Sequence, residues 1–384
     1  MRLAFYMNIV SPHQLPLASE IVRQMGMANF RYIYHHRIDT ERAAMGWSSE
    51  IYEWCLSLDS SEAREWLEQS EVLICGLREL DLFERRCAKN LKTFYTSERW
   101  FKPPIGFLRI FVPSYFKMAR RIVKLLNESE NFYYLPMGIH AARDMARLCG
   151  LMNGDLRCLF KAPKLEFERK PGGKVFSEGV RECVGKMRMW GYFVQSSEFR
   201  VGSLELNHGI HGIHGKKGCG SEGVKVLWVG RLLDLKRVDT IIKAVGECSK
   251  SKKITLDVYG VGPEEAKLKK LAAKYGDVIK FYPPVPINEV RKLMREHDVY
   301  VLSSNGYEGW GAVVSEALEE GMAVIGAYEA GASAAILPRE RLYHAGDVNA
   351  LALLLEKEYN NELPQCSIGE WTAKNAAKRL MEMI

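Results

Sequence analysis

The sequence predicts an α/β protein with two domains, each built on a parallel sheet, and three observations support this fold class. The chain has 384 residues, of which 47% are hydrophobic, enough for two cores of ordinary size. From Val224 to Ile325, short apolar runs alternate with segments of helical periodicity, which is typical of a parallel sheet covered by helices. Between the halves, seven glycines fall within the 22 residues 202–223, a density that favours a linker.

These shifts in composition set the predicted boundaries. The first domain covers 1–200, the Gly- and His-rich linker 201–223 and the second domain 224–366, and an amphipathic helix is predicted over 367–384. In the linker, His208, His211 and His214 recur at three-residue steps, so a metal site is an alternative interpretation. The glycines between them provide no rigid ligand geometry, which favours the linker.

Apolar runs and helical periodicity predict the individual elements in order. Strands of the first half are predicted at Leu3–Ile9, Val72–Gly76, Leu91–Thr96, Phe132–Pro136 and Trp190–Gln195, with helices at Pro16–Met25 and Ala141–Leu148. Strands of the second half are predicted at Val224–Val229, Ile254–Tyr259, Val278–Tyr282, Val299–Leu302 and Ala323–Ile325. Helices of the second half are predicted at Asp239–Ser249, Pro263–Tyr275 and Ile287–His297, and a further helix carries Glu316.

Composition indicates which cellular environment and which kinds of partner are expected for the protein. No run of about 18 uncharged apolar residues occurs, so no membrane-spanning helix is expected. The nine cysteines lack paired spacing, and the simplest explanation is that they are reduced thiols of a cytoplasmic protein. The formal net charge is +7, but no recognised nucleic-acid motif accompanies it, so no nucleic-acid partner is expected.

The positive charge is concentrated in the segment 99–126, which has seven basic residues and no acidic one. Aromatic residues such as Trp100, Phe107 and Phe111 are interleaved with the charges. A segment of this kind can lie on an anionic membrane surface, which would make the protein peripheral at the inner membrane. An amphipathic helix packed on a sheet, with its cations in water, explains the pattern equally well.

Two predicted strand ends of the second half carry charged residues that suggest chemistry. In an open α/β sheet, ligands bind beyond the carboxyl ends of the strands. After the first strand of this half, Arg231 and Lys236 place two cations that suit a diphosphate. After the fourth strand, Glu308 precedes a predicted helix and Glu316 lies in its opening turns, so both carboxylates can accept hydrogen bonds from ligand hydroxyls. The helix dipole alone also favours a glutamate at such a position.

Glycines follow the fourth and the second predicted strands of this half, and those after the fourth allow the backbone to approach a ligand closely. Gly309 and Gly311 would let backbone N–H groups reach a ligand at a predicted helix N-terminus, which favours anions. The segment Tyr259–Glu264 begins like a dinucleotide-binding fingerprint but lacks the third glycine, so no nicotinamide site is predicted.

Together these segments resemble the C-terminal domain of glycosyltransferase family 4. The resemblance covers roughly Val224–Ile325 and rests on the order and spacing of Gly230-Arg231-Leu232 with Lys236, Tyr259–Glu264, and Glu308-Gly309-Trp310-Gly311 with Glu316-Ala317. It implies the GT-B fold, with two Rossmann-like domains facing an interdomain cleft and the helix 367–384 crossing back to the first domain. It also implies a retaining, nucleotide-sugar-dependent reaction.

The resemblance implies roles for the residues that match. The donor would be held by diphosphate ligands (Arg231, Lys236), a ribose ligand (Glu316), a sugar ligand (Glu308) and backbone amides (Gly309, Trp310, Gly311). The loop after the first strand has no glycine, unlike many family members, so His13 and Gln14 are candidate donor contacts there. His140 is the candidate first-domain residue facing the transferred sugar, and it forms the predicted catalytic pair with Glu308. A helix-end or core histidine is the alternative for His140.

The predicted function is retaining transfer of a hexose-type sugar from a UDP- or GDP-sugar to a hydroxyl acceptor. The acceptor would be a glycan or a lipid-linked molecule, in cell-surface polysaccharide or glycolipid synthesis. Two cations and helix-end amides would stabilise the diphosphate, so neither a cofactor nor a metal is expected. Two alternatives are a sugar-nucleotide epimerase of the same fold and a non-catalytic nucleotide-sugar-binding or membrane-docking protein.

Overall fold

The computed structural model describes residues 1–38, 51–161, 165–167, 175–177, 185–195 and 223–384. These residues divide into two compact units, one formed by the N-terminal half together with 370–384, the other by 223–369. Each unit contains a six-stranded sheet. Within the described ranges, no helix is both long and apolar enough to cross a lipid bilayer.

The first unit is built on a parallel sheet. Its strands are β1 (Leu3–Ile9), β2 (Phe30–His36), β3 (Cys55–Ser57), β4 (Val72–Cys75), β5 (Lys92–Ser97) and β6 (Phe132–Pro136), in the order β3-β2-β1-β4-β5-β6. Its helices are α1 (Leu15–Met25), α2 (Ser61–Gln69), α3 (Leu80–Ala88), α4 (Pro113–Glu128) and α5 (Ile139–Met152). A separate antiparallel pair is formed by β7 (Leu165–Phe167) and β8 (Val175–Ser177). β4 is apolar and buried at every position, as expected of a parallel strand covered on both faces.

The second unit repeats the same strand order. Its strands are β9 (Val224–Val229), β10 (Ile254–Tyr259), β11 (Ile279–Tyr282), β12 (Val299–Leu302), β13 (Ala323–Ala327) and β14 (Leu342–Tyr343), in the order β11-β10-β9-β12-β13-β14. Its helices are α6 (Val238–Cys248), α7 (Glu265–Ala272), α8 (Ile287–Glu296), α9 (Val313–Glu319), α10 (Gly331–Ile336) and α11 (Val348–Tyr359). One core cluster joins side chains of the sheet, such as Trp228 and Val258, to Ile241 of α6 and Leu351 of α11.

The last helix, α12 (Ala373–Met383), belongs to the first unit. Ala373 N donates to Val194 O at 2.8 Å, and the helix packs against α1. The helix begins later than the predicted 367 because Thr372 caps it, its Oγ1 accepting from Asn375 N at 3.3 Å.

The predicted α/β class is confirmed, and β1, β6, β9, β10 and β12 have the predicted bounds. The predicted strand Trp190–Gln195 is wrong, since this segment makes only single bridges, Met137 with Trp190 and Val194 with Thr372. The helix predicted at Pro263–Tyr275 is shorter, because α7 gives way to a 3₁₀ segment at Ala273. The predicted linker and its three histidines lie outside the described residues, apart from Gly223.

In each sheet, the chain first adds two strands on one side of the unit's first strand and then crosses over to add three strands on its other side. The crossing defines a topological switch point. In the first unit this switch lies between β1 and β4, and in the second between β9 and β12. The loops that leave such neighbouring strands diverge to opposite sides and leave a crevice at the carboxyl edge of the sheet. The residues after Val229 and Leu302 are therefore positioned to form a ligand site in the second unit.

Candidate functional site

Two loops at the switch point of the second sheet are tied together. The loop after β9 includes a 3₁₀ turn, Asp234–Lys236, and the loop after β12 begins at Ser303. Ser303 Oγ donates to Lys236 O at 2.5 Å, and Asn305 N donates to Leu235 O at 2.9 Å. These bonds fix the backbone that carries Lys236 against the loop that carries Glu308.

The two predicted side chains Lys236 and Glu308 form an ion pair, with Lys236 Nζ donating to Glu308 Oε2. Their side chains are 25% and 15% exposed, so the pair is largely shielded but still reaches solvent. Water screens such a pair less than a fully exposed one. The ammonium group is therefore oriented in advance, and Glu308 is held beside it.

Glu316 lies in the first turn of α9, the helix that follows the loop of Glu308, and Tyr300 of β12 is buried. Tyr300 OH donates to Val229 O at 3.2 Å, at the end of β9. Burial raises the pKa of the Tyr300 phenol, and the negative charges of Glu308 and Glu316 raise it further. The fold thus brings both predicted glutamates within electrostatic reach of one phenol at the switch point.

The segment between the glutamates is held rigidly. Gly311 has φ +87°, and a Cβ there would lie 2.7 Å from Leu302 Cδ2, so the position requires glycine. Trp310 is buried, and its carbonyl accepts from Ala332 N at 2.8 Å. Gly309 O accepts from Gly331 N at 3.3 Å. Both bonds anchor the loop to the start of α10.

Arg231 is exposed on the loop after β9. This loop contacts the loop after β10 through backbone hydrogen bonds. Leu232 N donates to Val261 O at 2.9 Å, and Glu264 N donates to Leu232 O at 3.1 Å. A Cβ at Gly260, where φ is +150°, would lie 1.9 Å from Gly230 O. The glycines of Tyr259–Glu264 therefore allow the two loops to pack closely. This packing accounts for the partial dinucleotide-binding fingerprint.

The candidate residues of the first unit lie at the carboxyl edge of its own sheet. His13 and Gln14 line an open recess together with Trp190, Tyr192 and Phe193. The His13 and Tyr192 rings lie 5.7 Å apart. The amide of Gln14 is used within the unit, because its Oε1 accepts from Tyr32 OH at 2.7 Å and its Nε2 donates to Met7 Sδ at 3.2 Å.

His140 is buried in the first turn of α5, directly after β6. The helix follows Gly138, whose φ is +86°. One turn further, the buried Asp144 accepts from Trp100 N and Phe101 N, each at 3.0 Å. His140 therefore lies at the same sheet edge as the recess with His13 and Gln14, in the first unit, whereas the predicted diphosphate, ribose and sugar ligands of the donor lie in the second.

Sequence reasoning missed three contributors to the site: Tyr300, Ser303 and Asn305. The polar run Ser303-Ser304-Asn305 directly after a buried strand was a usable signal, since polar residues at a strand end face the ligand edge. Tyr300 gave no signal because it lies inside an apolar run. In the described part of the chain, no group of three or more His, Cys, Asp or Glu is placed to hold a metal ion.

Residues 212–378 match the family Glycosyl transferases group 1. Among curated proteins, the chain is 32% identical over 117 residues to an uncharacterized glycosyltransferase of Methanocaldococcus jannaschii. It is 31% identical over 102 residues to the GtfA subunit of a UDP-N-acetylglucosamine–peptide N-acetylglucosaminyltransferase of Streptococcus agalactiae. These alignments cover 30% and 26% of this chain and only 30% and 20% of the two relatives.

Solved structures resemble the chain over its whole length. The apo form of the lipopolysaccharide outer core galactosyltransferase WaaB has a TM-score of 0.63 at 13% identity and covers 100% of this chain and 98% of its own. Anabaena HepE in complex with UDP has a TM-score of 0.60 at 13% identity, covering 100% and 95%. At these identities the likeness concerns the fold. The chain has the GT-B fold, and the match of residues 212–378 to Glycosyl transferases group 1 supports a glycosyl-transfer function.

Proposed function

We propose that the protein is a retaining glycosyltransferase of family 4 that uses a UDP- or GDP-sugar and glycosylates a hydroxyl acceptor. One observation carries the proposal: Lys236 and Glu308 form an ion pair at the switch point of the second sheet, and Glu316 lies in the first turn of the helix that follows the Glu308 loop. A cation beside two carboxylates suits a ligand with a diphosphate at one end and hydroxyls at the other. The complexes of Anabaena HepE with UDP and with UDP-glucose concern a protein of the same fold and give this proposal indirect support.

The donor would bind with its diphosphate at Lys236 and Arg231. Lys236 is already oriented by Glu308, and Arg231 is exposed on the same loop after β9. Glu316 would accept from the ribose hydroxyls, and Glu308 from hydroxyls of the sugar. The amides of Gly309, Trp310 and Gly311 would contact the sugar and the phosphate next to it.

Sugar transfer requires cleavage of the anomeric C–O bond while negative charge develops on the diphosphate. A cation fixed before the reaction stabilises that charge without reorganising, and the Lys236–Glu308 pair supplies such a cation. The donor phosphate would take the acceptor proton on the face from which it leaves, so no carboxylate is needed as a general base. His140 would contribute from the first unit, facing the transferred sugar.

The proposal is tested by screening UDP- and GDP-sugars for an increase in thermal midpoint and then seeking the transfer product by mass spectrometry. Donor binding followed by a product with retained anomeric configuration, read by NMR, is the expected result. Conversion of the nucleotide sugar without any acceptor would show an epimerase instead. Binding with neither transfer nor hydrolysis, across glycan and lipid-linked acceptors, would show a non-catalytic protein.

Glu316→Gln is expected to weaken nucleoside diphosphate binding by about 10- to 150-fold, because hydrogen bonds to a charged group contribute about 1.5–3 kcal/mol. Pyrophosphate, which has no ribose, should bind equally well to both forms. Calorimetry with both ligands measures the difference. Glu265→Gln is the matched control, since Glu265 also lies in the first turn of a helix of this unit. Equal losses for both ligands would contradict the ribose role.

His140→Ala is expected to lower turnover by about 100-fold or more, as for loss of a group that acts at the reacting centre. Nucleotide affinity should change less than about twofold, because the diphosphate and ribose contacts lie in the second unit. Steady-state kinetics and calorimetry on one preparation separate the two effects. His36→Ala, an exposed histidine at the end of β2, is the control. Normal turnover in a folded His140→Ala protein removes this residue from the site.

A further inference from the structure

An exposed apolar surface with a basic rim lies on the first unit, and we propose that it docks the protein on an anionic lipid bilayer. We define this docking surface by the 3₁₀ segment Gly106–Phe111, the start of α4 and the turn Leu156–Leu159 with Phe160. Its exposed apolar side chains are Leu108, Phe111, Val112, Phe116, Leu156 and Phe160. This inference goes beyond the proposed transfer reaction and does not depend on it.

The degree of exposure distinguishes these side chains from ordinary surface residues. Leu108, Phe111 and Phe160 are 62%, 68% and 89% exposed. Single exposed hydrophobic residues are common, but a cluster of large ones marks an interaction surface. Side chains of this kind can enter the boundary between headgroups and acyl chains.

The segment 99–126 had two explanations, a segment that lies on a membrane and an amphipathic helix packed on a sheet. In the structure, each explanation fits a different part of the segment. From Ala119 onward, α4 buries Ala119, Ile122, Val123 and Leu126 in the core of the unit, as an ordinary amphipathic helix does. The stretch before it does not follow this pattern, because Leu108, Phe111 and Val112 are exposed. The membrane interpretation therefore applies to residues 105–120 and to the turn Leu156–Leu159.

The parts of the docking surface are joined by one arginine. The guanidinium of Arg147 lies 3.2 Å from the centre of the Phe107 ring. Arg147 Nε donates to Cys158 O at 2.6 Å, and its Nη2 donates to Leu159 O at 2.7 Å. The Phe101 and Phe107 rings pack edge to face at 4.9 Å. The surface thus rests on an inner layer of its own, so its exposed side chains are not needed for folding.

The rim carries three cations that have no ion-pair partner among the residues that the structure describes. Within the described residues, Arg109, Lys117 and Arg120 make no ion pair, whereas Arg121 pairs with Asp81 and Glu84. Arg120 lies one turn after Phe116, on the same side of α4. Free cations beside exposed aromatic rings complement a surface of anionic headgroups, and this charge selects an anionic bilayer over a neutral partner.

Docking would also orient the first unit. The segment 98–112 leaves the carboxyl end of β5, and Asp144 of α5 holds its first residues. This is the sheet edge at which His140 and the aromatic recess lie. On the proposed function, a bilayer at this surface would lie near the edge that receives a lipid-linked acceptor.

Flotation of the full chain with phosphatidylcholine vesicles, with and without phosphatidylglycerol, tests the proposal. We expect co-flotation only with the anionic vesicles. Lys117→Gln with Arg120→Gln should weaken partitioning by on the order of 25-fold at low salt, about fivefold for each cation. Leu108→Gln with Phe111→Gln should weaken it by about tenfold or more. Leu353→Gln with Lys270→Gln, exposed in the second unit, is the matched control and should bind like the wild type.

Thermal midpoints equal to that of the wild type would show that the variants are folded, as their exposure implies. Equal flotation with neutral and anionic vesicles, or wild-type flotation of both pairs of variants, would overturn the proposal. Sedimentation velocity without vesicles distinguishes self-association. If the double variant Leu108→Gln, Phe111→Gln no longer forms an oligomer that the wild type forms, and its flotation is unchanged, the surface binds a second copy of the chain and not a bilayer.

Discussion

Lys236→Ala is expected to weaken binding of the preferred nucleoside diphosphate by about 10- to 150-fold, because a charge-assisted hydrogen bond contributes about 1.5–3 kcal/mol. The structure adds a second cause. Lys236 neutralises Glu308, whose side chain is only 15% exposed. Without the ammonium group, the Glu308 carboxylate would face the diphosphate as an uncompensated like charge. Calorimetric titration with UDP and GDP measures the loss.

The second cause predicts a specific double-variant result. Lys236→Ala combined with Glu308→Ala should bind the nucleotide more tightly than Lys236→Ala alone, since the repelling carboxylate is gone. The coupling between two residues in contact is about 0.5–3 kcal/mol, which calorimetry resolves. Lys243→Ala is the control, because Lys243 also pairs with a carboxylate of this unit, Asp239, at 3.0 Å. Affinity within twofold of the wild type in Lys236→Ala would refute the diphosphate role.

The second half of the fold could be predicted well from the sequence because its strands are short apolar-rich runs that alternate with helical segments. β12 is apolar and buried at every position, and glycine or polar residues end the strands clearly, as at Gly230 and Ser303. The first half was predicted less completely. β2 (Phe30–His36) contains Arg31 and two histidines at its end, so hydropathy alone does not reveal it. Trp190–Gln195 is apolar for another reason, since it packs against Trp371 beside α12 instead of entering the sheet.

The sequence could indicate candidate residues of the site but not their contacts, and the ligand-binding roles stay predictions. Glu308 and Glu316 were expected at one sheet edge; Glu308 lies in the loop after β12, and Glu316 lies in the first turn of the helix that follows this loop. The ion pair between Lys236 and Glu308 joins residues 72 positions apart, and strand order alone brings them together. A sequence without its topology cannot show which strand ends are neighbours.

Gly260→Ala is expected to lower the thermal midpoint of the second unit by about 4–20 °C, from a cost of about 2–5 kcal/mol. The added Cβ would lie 1.9 Å from the backbone oxygen of Gly230. The backbone fixes the position of a Cβ, so no side-chain rotation can relieve this clash. The loop that carries Arg231 must therefore move. Nucleotide affinity should fall together with stability, although Gly260 itself has no side chain to contact a ligand.

Gly276→Ala separates the clash from the cost of an unusual backbone angle. Gly276 has φ +67°, but a Cβ there would meet nothing within 4 Å. Its replacement should cost only about 1–2 kcal/mol and leave nucleotide affinity unchanged, since it lies away from the loops at the switch point. Differential scanning calorimetry and nucleotide titration on both variants provide the comparison. If Gly260→Ala behaved like Gly276→Ala in both measurements, the loop after β10 would not support the donor site, and Arg231 would be positioned by the loop after β9 alone.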